Sequence, residues 1–299
     1  MQDTRYAVWL SHSSIGDYLK CPRSYYLKNL YKNPQTGRKI TLMQPSLALG
    51  QAVHGVLESL QSLPVDVRLK DSLLDKYDLA WEKVRGKWGG FSSNEQEEEF
   101  KQRGREMLER VMKHPGPLLN KALTIPARSM MIEGLPSFYL SEEDNIILCG
   151  KVDWLEYIPE TDSVHILDFK TGKNEEKAGS LQLPIYHLLV KHCQNREVSK
   201  ASYWYLDSQD KPVEVALPDI EQCTRQVLDV AQSIKLARED RLFDCSRGGC
   251  FACSPYEEIL NGEAQYVGVD EGMNKDVYIP QSSVNEPIVE GLELEEVPI

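Results

Sequence analysis

"HILDFKTGK", residues 165–173, places an acid and an amine two residues apart inside an apolar run. Val164, Ile166, Leu167 and Phe169 are strand-forming, and Gly172 ends the run. Residues i and i+2 of a strand share a face, so Asp168 and Lys170 project side by side. Upstream, "ILCGKVDWLEYI" (147–158) is a second strand carrying Asp153, and "PETD" (159–162) links the two with four good turn residues. A hairpin centred between Glu160 and Thr161 sets Asp153 opposite Asp168, with Cβ atoms roughly 5 Å apart. Two carboxylates at that distance repel, and burial raises the cost. A divalent cation removes both penalties, and hard oxygen ligands around an open face suit magnesium or manganese. Lys170 on the same face could stabilise negative charge or orient a water. An isolated D-x-K is ordinarily an ion pair on a solvent-facing edge; the facing Asp153 argues against that here.

Outward from this hairpin, the 299 residues suffice for one large domain or two modest ones. No run of 18 apolar residues occurs, and "MQDTRYAVWLSHSS" lacks the pattern of a signal peptide, so the expectation is a cytoplasmic protein without a membrane partner. The net charge of −12 at first opposes nucleic-acid binding. Residues 257–299, however, hold eleven acids against the single base Lys275, which leaves the rest nearly balanced and able to carry a basic groove. That segment, from about residue 262, has scattered Pro and Gly and no sustained period, and reads as a flexible acidic tail.

Along the body, residues 11–32 read as two short helices broken at Cys21-Pro22, with Pro22 at a first helical position. Residues 45–62 form an amphipathic helix with Leu49, Val53, Val56, Leu57 and Leu60 on one face. Helices follow at 66–88 and 94–113, then Pro115-Gly116-Pro117. Strands are expected at 122–132, 137–141, 145–158, 164–170, 200–206 and 211–216, with helices at 180–193 and 218–239. The fold class is α/β, with an N-terminal helical insertion (about 62–118) and a cysteine-bearing region that closes on the core.

The seven cysteines are Cys21, Cys149, Cys193, Cys223, Cys245, Cys250 and Cys253. An odd count in a long chain of this kind favours metal or cluster binding over disulfides. Cys245-x4-Cys250-x2-Cys253 offers three close thiolates; a closed site needs a fourth, for which Cys21 is the candidate. Cys149, Cys193 and Cys223 are isolated in apolar settings and read as packing. "YLKCPRSYYLKNLYK" mixes Lys20, Arg23, Lys28 and Lys32 with Tyr18, Tyr25, Tyr26 and Tyr31, which suits either an amphipathic helix or contact with unpaired DNA. No G-x-x-x-x-G-K-[ST] occurs, so any helicase would be a separate partner.

"GKVDWLEY…HILDFKTGK" resembles the core of the PD-(D/E)XK nuclease superfamily, in its RecB-like branch. "LQLPIYHLL" supplies the branch's Q-x-x-x-Y as Gln182 and Tyr186, on one helical face. "ALGQAVHGVLE" supplies G-x-x-x-H as Gly50 and His54. All four motifs stand in the family's order. The resemblance implies a restriction-endonuclease-like mixed sheet core flanked by helices over residues 1–256. It implies that His54, Asp153 and Asp168 bind the catalytic metal, magnesium or manganese. Lys170 would activate or orient the attacking water, and Gln182 and Tyr186 would support the site and contact the DNA backbone. Glu133 lies where some relatives carry an acid. The resemblance also implies that Cys21, Cys245, Cys250 and Cys253 hold a 4Fe–4S cluster stapling the chain's ends, as in AddB-like and CRISPR-associated adaptation nucleases. The tail spacing departs from the usual order, with the wider gap first, so zinc stays open as the alternative. The activity implied is a metal-dependent DNA exonuclease that processes single-stranded or free DNA ends in recombination, repair or phage replication, with a helicase or recombination protein as a possible partner. The alternatives are an adaptation nuclease trimming spacer precursors and a non-catalytic DNA-end-binding module.

Overall fold

The computed structural model describes residues 4–125, 130–132, 135–177 and 179–280. The chain opens with strand β1 (Val8–Leu10), helices α1 (His12–Lys20) and α2 (Pro22–Tyr25), strand β2 (Lys39–Leu42) and helix α3 (Pro45–Ser59). Helices α4 (Leu73–Trp81) and α5 (Asn94–Lys113) precede strands β3 (Met130–Ile132), β4 (Leu135–Ser141), β5 (Ile146–Cys149), β6 (Trp154–Ile158) and β7 (Ser163–Lys170). Helix α6 (Gln182–Cys193), strands β8 (Val198–Tyr205) and β9 (Val213–Val215), helices α7 (Ile220–Asp240) and α8 (Ser254–Leu260), and strands β10 (Gln265–Asp270) and β11 (Lys275–Ile279) complete it.

Three sheets result, in the orders β1-β5-β4-β3, β6-β7-β8-β9 and β10-β11-β2. Each mixes parallel and antiparallel pairs. This is the expected α/β architecture of a mixed sheet core flanked by helices. The hairpin register is also as read from the turn: Trp154 faces Leu167 and Ile158 faces Ser163, which continues to Asp153 beside Asp168. Helix α6 carries the chain over to β8, parallel to β7, as a crossover between parallel strands must.

Strand β7 is buried on both faces. Val164 and Ile166 enter one core with β1, β5, α6 and α7; Leu167 and Phe169 enter another with α3, α4 and α5. The helical insertion is therefore the roof of the second core. The buried guanidinium of Arg68 fastens its two ends, donating to the carbonyls of Leu60 and Leu63 on one side and of Leu118 and Asn120 on the other.

Three expectations change. The single strand at 145–158 is two strands in two sheets, with the chain crossing between them at 150–153. Periodicity could not show this, because Ile146, Leu148, Val152 and Leu155 all bury in the same core. The helix expected at 66–88 contracts to Leu73–Trp81, flanked by turns and by Gly86, Gly89 and Gly90. The acidic tail is structured through residue 280: β10 and β11 form a hairpin, and β11 adds to β2 in parallel. Its acids mislead. Asp276 is fully buried, held by Asn33, Thr36 and Arg38, while Val277 and Ile279 pack inward. Residues 281–299 and Glu133 lie outside the described residues.

Candidate active site and cysteine centre

Asp168 points from the same face of β7 as Val164 and Ile166, and only 1 % of it is exposed. Its Oδ1 accepts from Gln182 Nε2 at 2.6 Å. Its Oδ2 is buried without a hydrogen bond of good geometry, although the Lys170 ammonium stands 3.1 Å away. Burial, and after it the charge of Asp153, push the Asp168 carboxyl up to about 7. Burying a carboxylate oxygen with an ion pair as its one partner is costly.

Asp153 sits in the crossover between β5 and β6. Its Oδ2 accepts from the Phe169 backbone N–H at 3.0 Å and stands 3.4 Å from His54 Nδ1. Gln61 Nε2 donates to the Asp153 carbonyl and fixes the bend. His54 comes from α3. Burial alone would lower its pKa, but Asp153 outweighs this and raises it. One turn further on α3, Glu58 joins them: a nitrogen of His54 and carboxylate oxygens of Glu58 and Asp153 lie within 4.8 Å of one another. Asp168 stands beside this trio on the neighbouring strand rather than within it. Lys151 pairs with Glu58 from the crossover.

Glu58 was not singled out in the sequence. Gly50, His54 and Glu58 follow one i, i+4 row on α3, so extending the row one step beyond the histidine would have found it. Gly50 itself faces Thr171: a Cβ there would lie 3.4 Å from Thr171 Oγ1, so the glycine lets α3 approach the end of β7.

Lys170 Nζ is held by three acceptors: Asp168, Glu176 Oε2 at 2.8 Å and Gln182 Oε1. Burial disfavours its charge, yet Asp168 and Glu176 outweigh burial and raise its pKa. Glu176 has no sequence signal, since only the fold of the 171–180 loop brings it in. Gln182 also donates to Tyr186 Oη at 3.3 Å. Both side chains are more than nine-tenths buried and turn their polar atoms toward Asp168. That orientation suits support of the site.

Cys21, Cys245, Cys250 and Cys253 come together, with one sulfur from each within 4.8 Å of the others and Cys250 Sγ to Cys253 Sγ at 3.6 Å. Cys21 occupies the extended residue between α1 and α2, and Pro22 starts the second helix. The 245–250 loop turns through Gly248 and Gly249 at φ 66° and 141°, conformations that favour glycine. Backbone N–H groups of Arg247 and Gly249 point at Cys245 and lower its thiol to about 7, whereas burial pushes Cys253 up to about 12. Cys193 and Cys223 are buried apart from this centre, and Cys149 is half-buried. In the Tyr-rich segment, Tyr25 is a core residue and Lys28 pairs with Asp17 at 2.7 Å, so those two are committed inside the protein.

No helix among the described residues is long and apolar enough to cross a membrane. The sequence profile of the PD-(D/E)XK nuclease superfamily matches residues 9–266. No curated protein matches the chain.

Proposed function

The chain belongs to the PD-(D/E)XK nuclease superfamily, and from that premise we propose that it is a metal-dependent deoxyribonuclease of the RecB-like branch that trims DNA ends. Membership makes it a nuclease, with a divalent metal as the superfamily's cofactor and DNA as substrate. The metal-dependent part of this reading rests chiefly on the buried Oδ2 of Asp168, whose partner is the Lys170 ion pair alone, beside the converging His54, Glu58 and Asp153. Those donors fit a divalent ion: three carboxylates and one imidazole, mostly hard, gathered at one site. Asp153, Asp168, His54 and Glu58 would hold it, and the ion would polarise the scissile phosphate. Lys170 places a positive charge next to Asp168, where negative charge develops during attack on phosphorus. Gln182 holds both Asp168 and Lys170 and so fixes their relative position; Tyr186 braces Gln182.

The four thiols fit a closed metal centre, since an N–H-lined Cys245 favours a thiolate and no other polar ligand is needed. By the branch resemblance it would hold a 4Fe–4S cluster. One observation favours zinc: Zn–S bonds of about 2.3 Å put tetrahedral sulfurs about 3.8 Å apart, close to the 3.6 Å separation of Cys250 and Cys253. A larger cube needs the four sulfurs to stand farther apart.

The test is the protein, purified without oxygen, on end-labelled single- and double-stranded DNA with manganese or with EDTA. Cleavage should require the metal and vanish in Asp168→Ala; Lys170→Ala should lose turnover and keep DNA affinity. Undiminished cleavage by Asp168→Ala would overturn the assignment.

A further inference from the structure

A cavity of about 550 Å³ opens beside the cysteine centre, away from the acidic site. Its walls include three guanidiniums, Arg23, Arg238 and Arg241, and two aromatic rings, Tyr26 and Phe243. The only acid among its described lining residues is Asp244. In a chain of net charge −12, such a concentration of one sign is not an average piece of surface.

The three arginines are placed in different ways. Arg23 lies over the Tyr26 ring, 5.4 Å from its centroid, and is held from behind by Glu257 through contacts of 2.5 and 3.1 Å. Arg238, in the last turn of α7, sits beside the buried phenol of Tyr25. Arg241 caps α7 in the left-handed conformation, φ 56° and ψ 35°, a backbone state that an arginine seldom adopts. Among the described residues, neither Arg238 nor Arg241 forms a salt bridge. Guanidinium forks without acidic partners match phosphate oxygens in geometry and charge.

The walls come from two ends of the chain. Arg23 is two residues past Cys21, and Phe243 is two residues before Cys245. The two segments meet where Tyr26 stacks on Phe243 at 5.3 Å and 27°. We propose that this cavity binds phosphate groups of a nucleic-acid strand, and that closure of the cysteine centre assembles it. The proposal rests on the nuclease reading for its ligand class. The phosphate could be an internal phosphodiester or a terminal 5′-phosphate; the chemistry that recognises them is the same.

The experiment measures binding of 5′-phosphorylated and 5′-hydroxyl single-stranded oligonucleotides in EDTA-free buffer without divalent metal, across a salt series. The proteins are the full chain with its native cysteine-centre metal, Arg241→Gln and Arg238→Gln/Arg241→Gln. Each lost phosphate contact should flatten the slope of log affinity against log salt by about 0.7, so the double variant should lose about 1.4 in slope and on the order of tenfold in affinity at 0.1 M salt. A loss confined to the phosphorylated strand assigns the terminal phosphate; an equal loss on both assigns the internal one. Arg241 is exposed, so its single substitution reports on the cavity even if Arg238→Gln unsettles Tyr25. Unchanged slope and affinity in a folded double variant would overturn the cavity alone, whatever the cleavage results. A wild type that binds in this manner but never cuts would sink the nuclease reading and leave the cavity standing. A wild type that binds no nucleic acid would sink the cavity.

Discussion

At the residue scale, the site's most consequential group is Asp168, because its burial makes its charge conditional. Its folded pKa is raised to about 7 from an ordinary 3.8. The sign follows: stability from this group is fully present below the unfolded value and is lost as pH rises toward about 7, at about 1.4 kcal/mol per pH unit. Without added divalent metal, Asp168→Asn should therefore melt higher than wild type, with a gap that widens from pH 5 to 7 and then levels. Thermal unfolding across that range checks it, and a gap independent of pH would contradict it. The same balance predicts that manganese affinity rises with pH to about 7, since metal and proton compete for one carboxylate. Glu58→Gln should weaken manganese by about tenfold or more, read as a shift in the metal titration of cleavage. Asp153, Asp168 and Lys170 were legible as sequence because alternation along a strand and a four-residue turn fix their register. Glu176 was not, because nothing local carries a loop acid to a lysine six residues back.

At the element scale, β7 illustrates what a sequence can and cannot say. Its apolar run announces burial on both faces, and the structure agrees. The second face also carries a chain of buried polar groups: Glu156 accepts from or shares a proton with His165 Nδ1 at 2.6 Å, and His165 Nε2 meets Ser202 Oγ at 2.8 Å. These tie β6, β7 and β8 together from behind the site and were invisible to pattern reasoning. The β10–β11 hairpin was missed for a related reason: buried Asp276 looks like tail charge until its partners on the 33–38 turn are known. Ending the chain at residue 261 should remove Val277 and Ile279 from the interior and leave β2 without a neighbour. The expected loss is about 2–4 kcal/mol, seen as an earlier denaturation midpoint. Ending it at residue 280 should leave that midpoint unchanged. It also removes five acids and no base, so DNA affinity at low salt should rise. Equal midpoints for both truncations would show that the hairpin contributes nothing.

At the scale of the whole molecule, the cysteine centre joins residues more than 200 positions apart. Closing so long a loop takes conformational freedom from the unfolded chain, and metal affinity becomes folding free energy. Cys21→Ala should lose bound metal and become protease-sensitive, while Cys193→Ala, buried elsewhere, should keep its metal. Iron with acid-labile sulfide in the wild type identifies a cluster; stoichiometric zinc without sulfide identifies the single ion. Full metal content in Cys21→Ala would remove it from the ligand set. The spacing of Cys245, Cys250 and Cys253 made the trio readable; Cys21 could be named as the candidate fourth ligand and was implied by the resemblance, but its meeting with the trio is a property of the fold. The same closure decides how the molecule bears load. Sequence outside Cys21 and Cys253 contributes β1, α1, α8 and the last hairpin; the sheet with Asp168 lies wholly within the ring. With a metal held by the four thiolates, tension applied at the two ends would first peel those outer pieces and then pass through the cysteine centre, bypassing the strands that carry Asp168. A nuclease coupled to a motor that drags on its substrate could thus be pulled hard while its acidic site keeps its shape.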